Sequence, residues 1–146
     1  FNINPDKGRY MWRDIERLCS RHAIDFTRPE VFPQFALLAS RVATAAAHEP
    51  WQPALCTSVF HAEYGLGHDI TGAAAVTQSL EEVGQDAAHW IDQAQRAPVQ
   101  QALKDRGAEA QAAGIFGAPT FVTPDGEMFW GDDRLEQALE WVLKRR

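Results

Sequence analysis

The stretch spanning residues 114–135 constrains this chain most, because it holds the only clear strands and too few of them. Residues 120–123 mix β-branched and aromatic side chains, and residues 127–130 end in two aromatics. Pro124-Asp125-Gly126 between them is turn chemistry: proline presets φ, Asp bonds its own backbone, and Gly takes positive φ. The segment reads as a β-hairpin. Gly131 then breaks the strand, and Asp132 or Asp133 opens a helix with Leu135, Ala138, Leu139, Val142 and Leu143 on its buried face. An isolated hairpin is marginal in water, and no convincing strand precedes it. The expected sheet is therefore incomplete, its other strands lying upstream of Phe1 or coming from another chain.

Everything before the hairpin reads as helix. Residues 1–6 are irregular and polar, with Asn2, Asn4 and Pro5. Helical periodicity starts near Lys7 and places Met11, Ile15, Leu18, Cys19 and His22 on one face. A second helix is predicted just after Pro33, with Phe35, Leu38, Ala39, Val42 and Ala46 inward. A third runs from Trp51 or Pro53 to Tyr64, stopped by Gly65-Leu66-Gly67. A fourth covers about residues 72–83 with Gly84 as its C-cap, and Asp86 caps a fifth. Pro98 suits the first turn of a sixth, which Gly114 ends. Short connections favour a helical bundle.

Composition removes several functions. The net charge of −6 leaves no basic surface to follow phosphates, so nucleic acid is not an expected partner. The run Lys144-Arg145-Arg146 reads as a helix C-terminus complementing its dipole. No uncharged apolar run approaches the roughly 18 residues of a membrane span. Cys19 and Cys56 form no CxxC, which excludes dithiol redox chemistry from this stretch. They read as small buried hydrophobes on helices.

Few residues carry chemistry. His61, Glu63, His68 and Asp69 are close in sequence, but Gly65-Leu66-Gly67 interrupts the helix between them, so no metal site is expected. No GxSxG elbow supplies a serine nucleophile. Pro119 at the entry to the strand has two readings: a strand-start proline on a sheet edge, or a cis-proline that leaves the N–H and C=O of Ala118 free for a peptide-like ligand. Asp132 and Asp133 read as first-turn acids or as holders of a ligand ammonium. Trp130 reads as a lid or as core, and core is the expectation for an aromatic in a strand. Lys7-Gly8-Arg9-Tyr10 puts two cations at a helix start, against the dipole, which suits either a bound carboxylate or two solvated side chains.

Taken together, Gly114-Ile115-Phe116-Gly117-Ala118-Pro119-Thr120-Phe121 and Gly126-Glu127-Met128-Phe129-Trp130-Gly131-Asp132-Asp133-Arg134-Leu135 resemble the C-terminal signature of 2-hydroxychromene-2-carboxylate isomerases, relatives of kappa-class glutathione transferases and DsbA-like proteins. Lys7-Gly8-Arg9-Tyr10 with Asp14, and Phe32-Pro33 before an alanine-rich helix, resemble that family in order and spacing. The resemblance implies an α/β, thioredoxin-like fold with an inserted all-helical domain. Residues 1–96 would form the helical insertion and residues 97–146 the C-terminal part of the thioredoxin-like domain. The N-terminal βαβ unit, with the catalytic serine, would precede Phe1, so no residue here is given the catalytic role.

The resemblance also implies glutathione as cofactor. Ala118 before Pro119 would bond its cysteinyl backbone, and Asp133 with Asp132 would hold its γ-glutamyl end. Lys7, Asn4, Tyr10 and Trp130 would meet a small aromatic carboxylate substrate, with Asn2 as a further polar contact. Where such proteins carry Asn shortly after the Phe-Pro pair, this chain has Phe35. A homodimer acting in the cytoplasm, in aromatic catabolism, is expected with these calls. The competing readings are a DsbA-like disulfide oxidoreductase, a kappa-type glutathione transferase, and a non-enzymatic module whose helices bind a partner.

Overall fold

Pro5–His22 forms the first helix, α1, of a computed structural model that describes residues 4–144. Asn2, Arg145 and Arg146 lie outside the described residues. Along α1 the Asn4 side chain accepts a hydrogen bond from the Lys7 N–H at 3.1 Å, Pro5 opens the first turn, and Ala23 closes the last in the left-handed region at φ 52°. Its buried residue is Trp12, one step off the predicted face. The indole finds partners outside the helix, an edge contact with Phe32 at 4.8 Å and the Arg28 guanidinium over its ring.

The helices that follow are α2 (Leu37–Ala45), α3 (Gln52–Phe60), α4 (Ala73–Glu82), α5 (Ala87–Gln95) and α6 (Ala97–Ala112). Ala39 and Val42 of α2, Leu55 of α3, Val76 and Leu80 of α4 and Ala87 and Ala94 of α5 make one buried cluster. The alanines let the helices approach closely, and Trp51 and Trp90 close one side of the cluster edge-to-face at 4.8 Å. Two expectations fail here. Phe35 is 76% exposed rather than inward, because α2 starts two residues later, at Leu37, and Phe35 belongs to its lead-in. The third helix does not continue to Tyr64 as α-helix: it widens into a π-helical turn over His61–Gly65. Gly84 and Asp86 cap as predicted, Gly84 at φ 74° and Asp86 through the His89 N–H.

β1 (Thr120–Val122) and β2 (Met128–Trp130) pair antiparallel with Phe121 opposite Phe129. The turn closes through Gly126 N–H to Thr123 C=O, with Gly126 at φ 85°. Each strand is a residue shorter than predicted, although Thr123 N–H still reaches Glu127 C=O. α7 (Leu135–Lys144) packs on the Phe129 side of the hairpin. Its inward residues are Ala138, Trp141 and Val142; Leu135, Leu139 and Leu143 are exposed, contrary to the predicted face. Trp141 turns the helix, because its ring meets Phe129 and its indole N–H donates to Asp125. The chain divides into two separately packed units, one up to Leu103 and one from Lys104, the division falling inside α6. Among the described residues no helix is long and apolar enough to cross a membrane.

Candidate functional site

The hairpin gathers five of the predicted residues at one end. Thr123 pairs with Glu127, and the Gly131 N–H donates to the Pro119 C=O at 3.0 Å. In an antiparallel ladder such pairs alternate. Residues 119, 121 and 123 therefore turn their backbone toward β2, whereas Ala118, Thr120 and Val122 turn theirs away. No hydrogen bond to the N–H or C=O of Ala118 occurs among the described residues. The Ala118–Pro119 peptide bond is cis, as is Phe32–Pro33. Because Pro119 is tied to Gly131, Ala118 and the two acids stand at the same end of the hairpin.

Asp132 and Asp133 sit in a single 3₁₀ turn, Asp132–Arg134, that leads into α7. No side chain caps that turn, so neither acid acts as the N-cap; the cap position is Gly131, at φ 116°. Both carboxylates are solvent-exposed, and Asp133 has only a long, exposed ion pair to Arg134 at 3.8 Å. Trp130 is not core: it is 54% exposed, on the hairpin face away from α7, with its indole over Gly117 and its ring 5.0 Å from Phe116. A free strand edge, two exposed carboxylates and an exposed indole together form a surface fitted to an extended peptide with a free ammonium.

Lys7, Asn4 and Tyr10 belong to the other unit. Asn4 spends its Oδ1 on the helix cap. Arg9 pairs with Asp6, which leaves Lys7 as the cation of that turn without an ion pair among the described residues. Tyr10 is exposed, with the Arg17 guanidinium 5.8 Å above its ring. Cys19 and Cys56, both half-buried, are free thiols.

Glu63, which the sequence offers only as a member of a rejected metal cluster, is the functional candidate that reading missed. It is 5% exposed, on the π-helical turn. Burial pushes its carboxyl above the ordinary value of 4.5, against the opposing pull of a hydrogen bond from the Tyr64 hydroxyl. The same burial, reinforced by the Glu63 charge, pushes Tyr64 up to about 12. The available signal was spacing: Leu55, Val59 and Glu63 fall four apart, so an acid stands on the inward stripe of a helix.

The match to known proteins agrees with this architecture. A family model described as a DsbA-like thioredoxin domain matches residues 1–142, and the chain belongs to that family. Its mostly helical build with a small two-stranded sheet is a thioredoxin-like fold carrying a helical insertion. In three dimensions it is similar to a solved selenomethionine structure of 2-hydroxychromene-2-carboxylate isomerase. The TM-score is 0.79 at 23% identity, over 97% of this chain and 68% of that one. No curated protein matches it in sequence.

Proposed function

We propose that this chain works as part of a glutathione-dependent isomerase of the 2-hydroxychromene-2-carboxylate type, with a small aromatic carboxylate as substrate. The observation that carries the reading is the unpaired backbone of Ala118 at the hairpin end from which Asp132 and Asp133 leave. A tripeptide laid along that edge exchanges backbone hydrogen bonds with Ala118, as in strand addition. Its ammonium then meets Asp133 and Asp132. Trp130 offers an exposed apolar wall for a planar ring. Lys7 supplies a cation for a carboxylate of glutathione or substrate, and Asn4 and Tyr10 supply further polar groups. Bound glutathione supplies a thiolate that adds reversibly to a conjugated carbon, makes the double bond single so that it rotates, and leaves again. This chemistry changes no oxidation state, which suits a chain whose two cysteines form no CxxC. A homodimer is part of the proposal.

Titration calorimetry of the full-length protein with glutathione tests the binding, and an absorbance assay of 2-hydroxychromene-2-carboxylate with and without glutathione tests the reaction. Saturable heat and glutathione-dependent conversion are expected. No heat at millimolar glutathione overturns the reading. Glutathione-independent disulfide exchange, with a CxxC preceding Phe1, moves the chain to the disulfide oxidoreductases.

A further inference from the structure

A second concavity lies wholly within the helical unit, between α2 and α3. Ala39 and Ala43 line one wall and Leu55 and Val59 the other, with Ile70 at the end. The cavity measures about 160 Å³. That is room for about one aromatic ring, in a concavity that opens to solvent past Ser40 and Phe60. Its room comes from α2, which presents small side chains to it, while α3 presents Leu55, Cys56 and Val59, with Phe60 at the rim. Ile70 is held at the end by Gln34, whose side chain accepts from the Ile70 N–H at 2.8 Å and donates to the His68 C=O at 3.1 Å.

One wall is not apolar. Glu63 lines the cavity and is buried. It follows Leu55 and Val59 on the inward stripe, and the widened turn over His61–Gly65 delivers it there. The His61 ring lies so close over Gly65 that a side chain at that position would collide with it, so the turn depends on that glycine. The other polar groups on the lining are already committed. The Ser40 hydroxyl donates to the Ala36 C=O at 2.9 Å, and burial pushes the Cys56 thiol up, keeping it protonated. The cavity therefore offers a ring-sized apolar space with a single strong acceptor, Glu63, whose remaining lone pairs are available beside the hydrogen bond it already accepts from the Tyr64 hydroxyl.

We propose that this pocket is a binding site for a small single-ring aromatic carrying one neutral hydrogen-bond donor, such as a phenol or aniline, with Glu63 as the acceptor. The ring takes the place of water against the alanines and valine, and the donor meets the carboxylate in a charge-assisted bond. A ring bearing a carboxylate is excluded by the like charge of Glu63. The pocket is thus separate in ligand chemistry from the hairpin site, and it stands whether or not the isomerase reading does.

The test is NMR titration of the full-length protein with phenol and, separately, toluene. Phenol is expected to shift the methyl signals of Ala39, Val59 and Ile70 and to bind roughly tenfold more tightly than toluene, the factor typical of a hydrogen bond to a charged acceptor. Glu63→Gln should remove most of that advantage and leave toluene unchanged, and Ala43→Leu should weaken both ligands. Equal binding of phenol and toluene to the parent protein overturns the proposal. So do shifts confined to other residues, or a phenol affinity that Glu63→Gln leaves untouched. The parent-protein comparison decides the matter even where a variant fails to fold.

Discussion

Gly131 has φ 116° and ψ 150°, a region that only glycine occupies readily, and a Cβ there would come within 2.6 Å of the Asp133 carboxylate. Gly131→Val is expected to cost about 1–3 kcal/mol in urea denaturation, and it should displace the two acids that share the hairpin end with Ala118. Asp133 behaves differently. It is exposed, caps nothing and holds only a long surface ion pair, a kind worth little. Asp133→Ala should therefore leave the melting temperature nearly unchanged while weakening glutathione binding roughly tenfold or more, as loss of a charged hydrogen bond does. A fall in melting temperature with intact affinity, read by calorimetry on both counts, would reduce Asp133 to a structural role. For Glu63 the sign follows from its raised carboxyl. Above 4.5 the unfolded chain releases this proton first, so the folded state binds more protons and loses stability as pH rises toward the folded value. Glu63→Gln should match the parent near pH 4 and melt higher at pH 7 in thermal scans.

Elements show where the sequence could be read and where it could not. Caps are local, so they were legible: Asp86 receives the His89 N–H at 3.1 Å as its position before a helical run predicts. Asp86→Ala should cost about 1 kcal/mol in urea denaturation. The hairpin turn was equally plain, since Pro124-Asp125-Gly126 specifies its own geometry. Helix faces were less so, because partners distant in sequence choose among adjacent stripes. On α7 the indole of Trp141 won over three leucines by finding both Phe129 and Asp125. On α1 Trp12 won in the same way over Met11 and Ile15, through Phe26, Phe32 and Arg28. The hairpin end of the candidate site was readable from its motif, yet Glu63 was not singled out. In sequence it stands only with His61, His68 and Asp69 as a metal cluster, whereas its depth comes with a π-helical turn whose enabling residue, Gly65, reads in sequence as a plain helix stop.

At the scale of the molecule, stability is concentrated in the helical unit, where Val42, Leu55, Val76 and Leu80 are almost entirely out of solvent. Leu80→Ala should cost about 2–5 kcal/mol in that unit, and the amides of α2, α4 and α5 should be the slowest to exchange with deuterium. The unit from Lys104 onward has a thinner interior, with Phe129 and Ala138 as its buried apolar residues among those described. It carries the two-stranded sheet of a chain whose family is the DsbA-like thioredoxin domain. Along β1, only the odd-numbered backbone groups point at β2. In deuterium the Phe121 and Thr123 protons should linger while those of Thr120 and Val122 wash out, giving a one-on, one-off signature. Any additional strand docking alongside β1 would erase that alternation, so two amide peaks suffice to tell whether the outer flank of this hairpin is occupied in the intact protein.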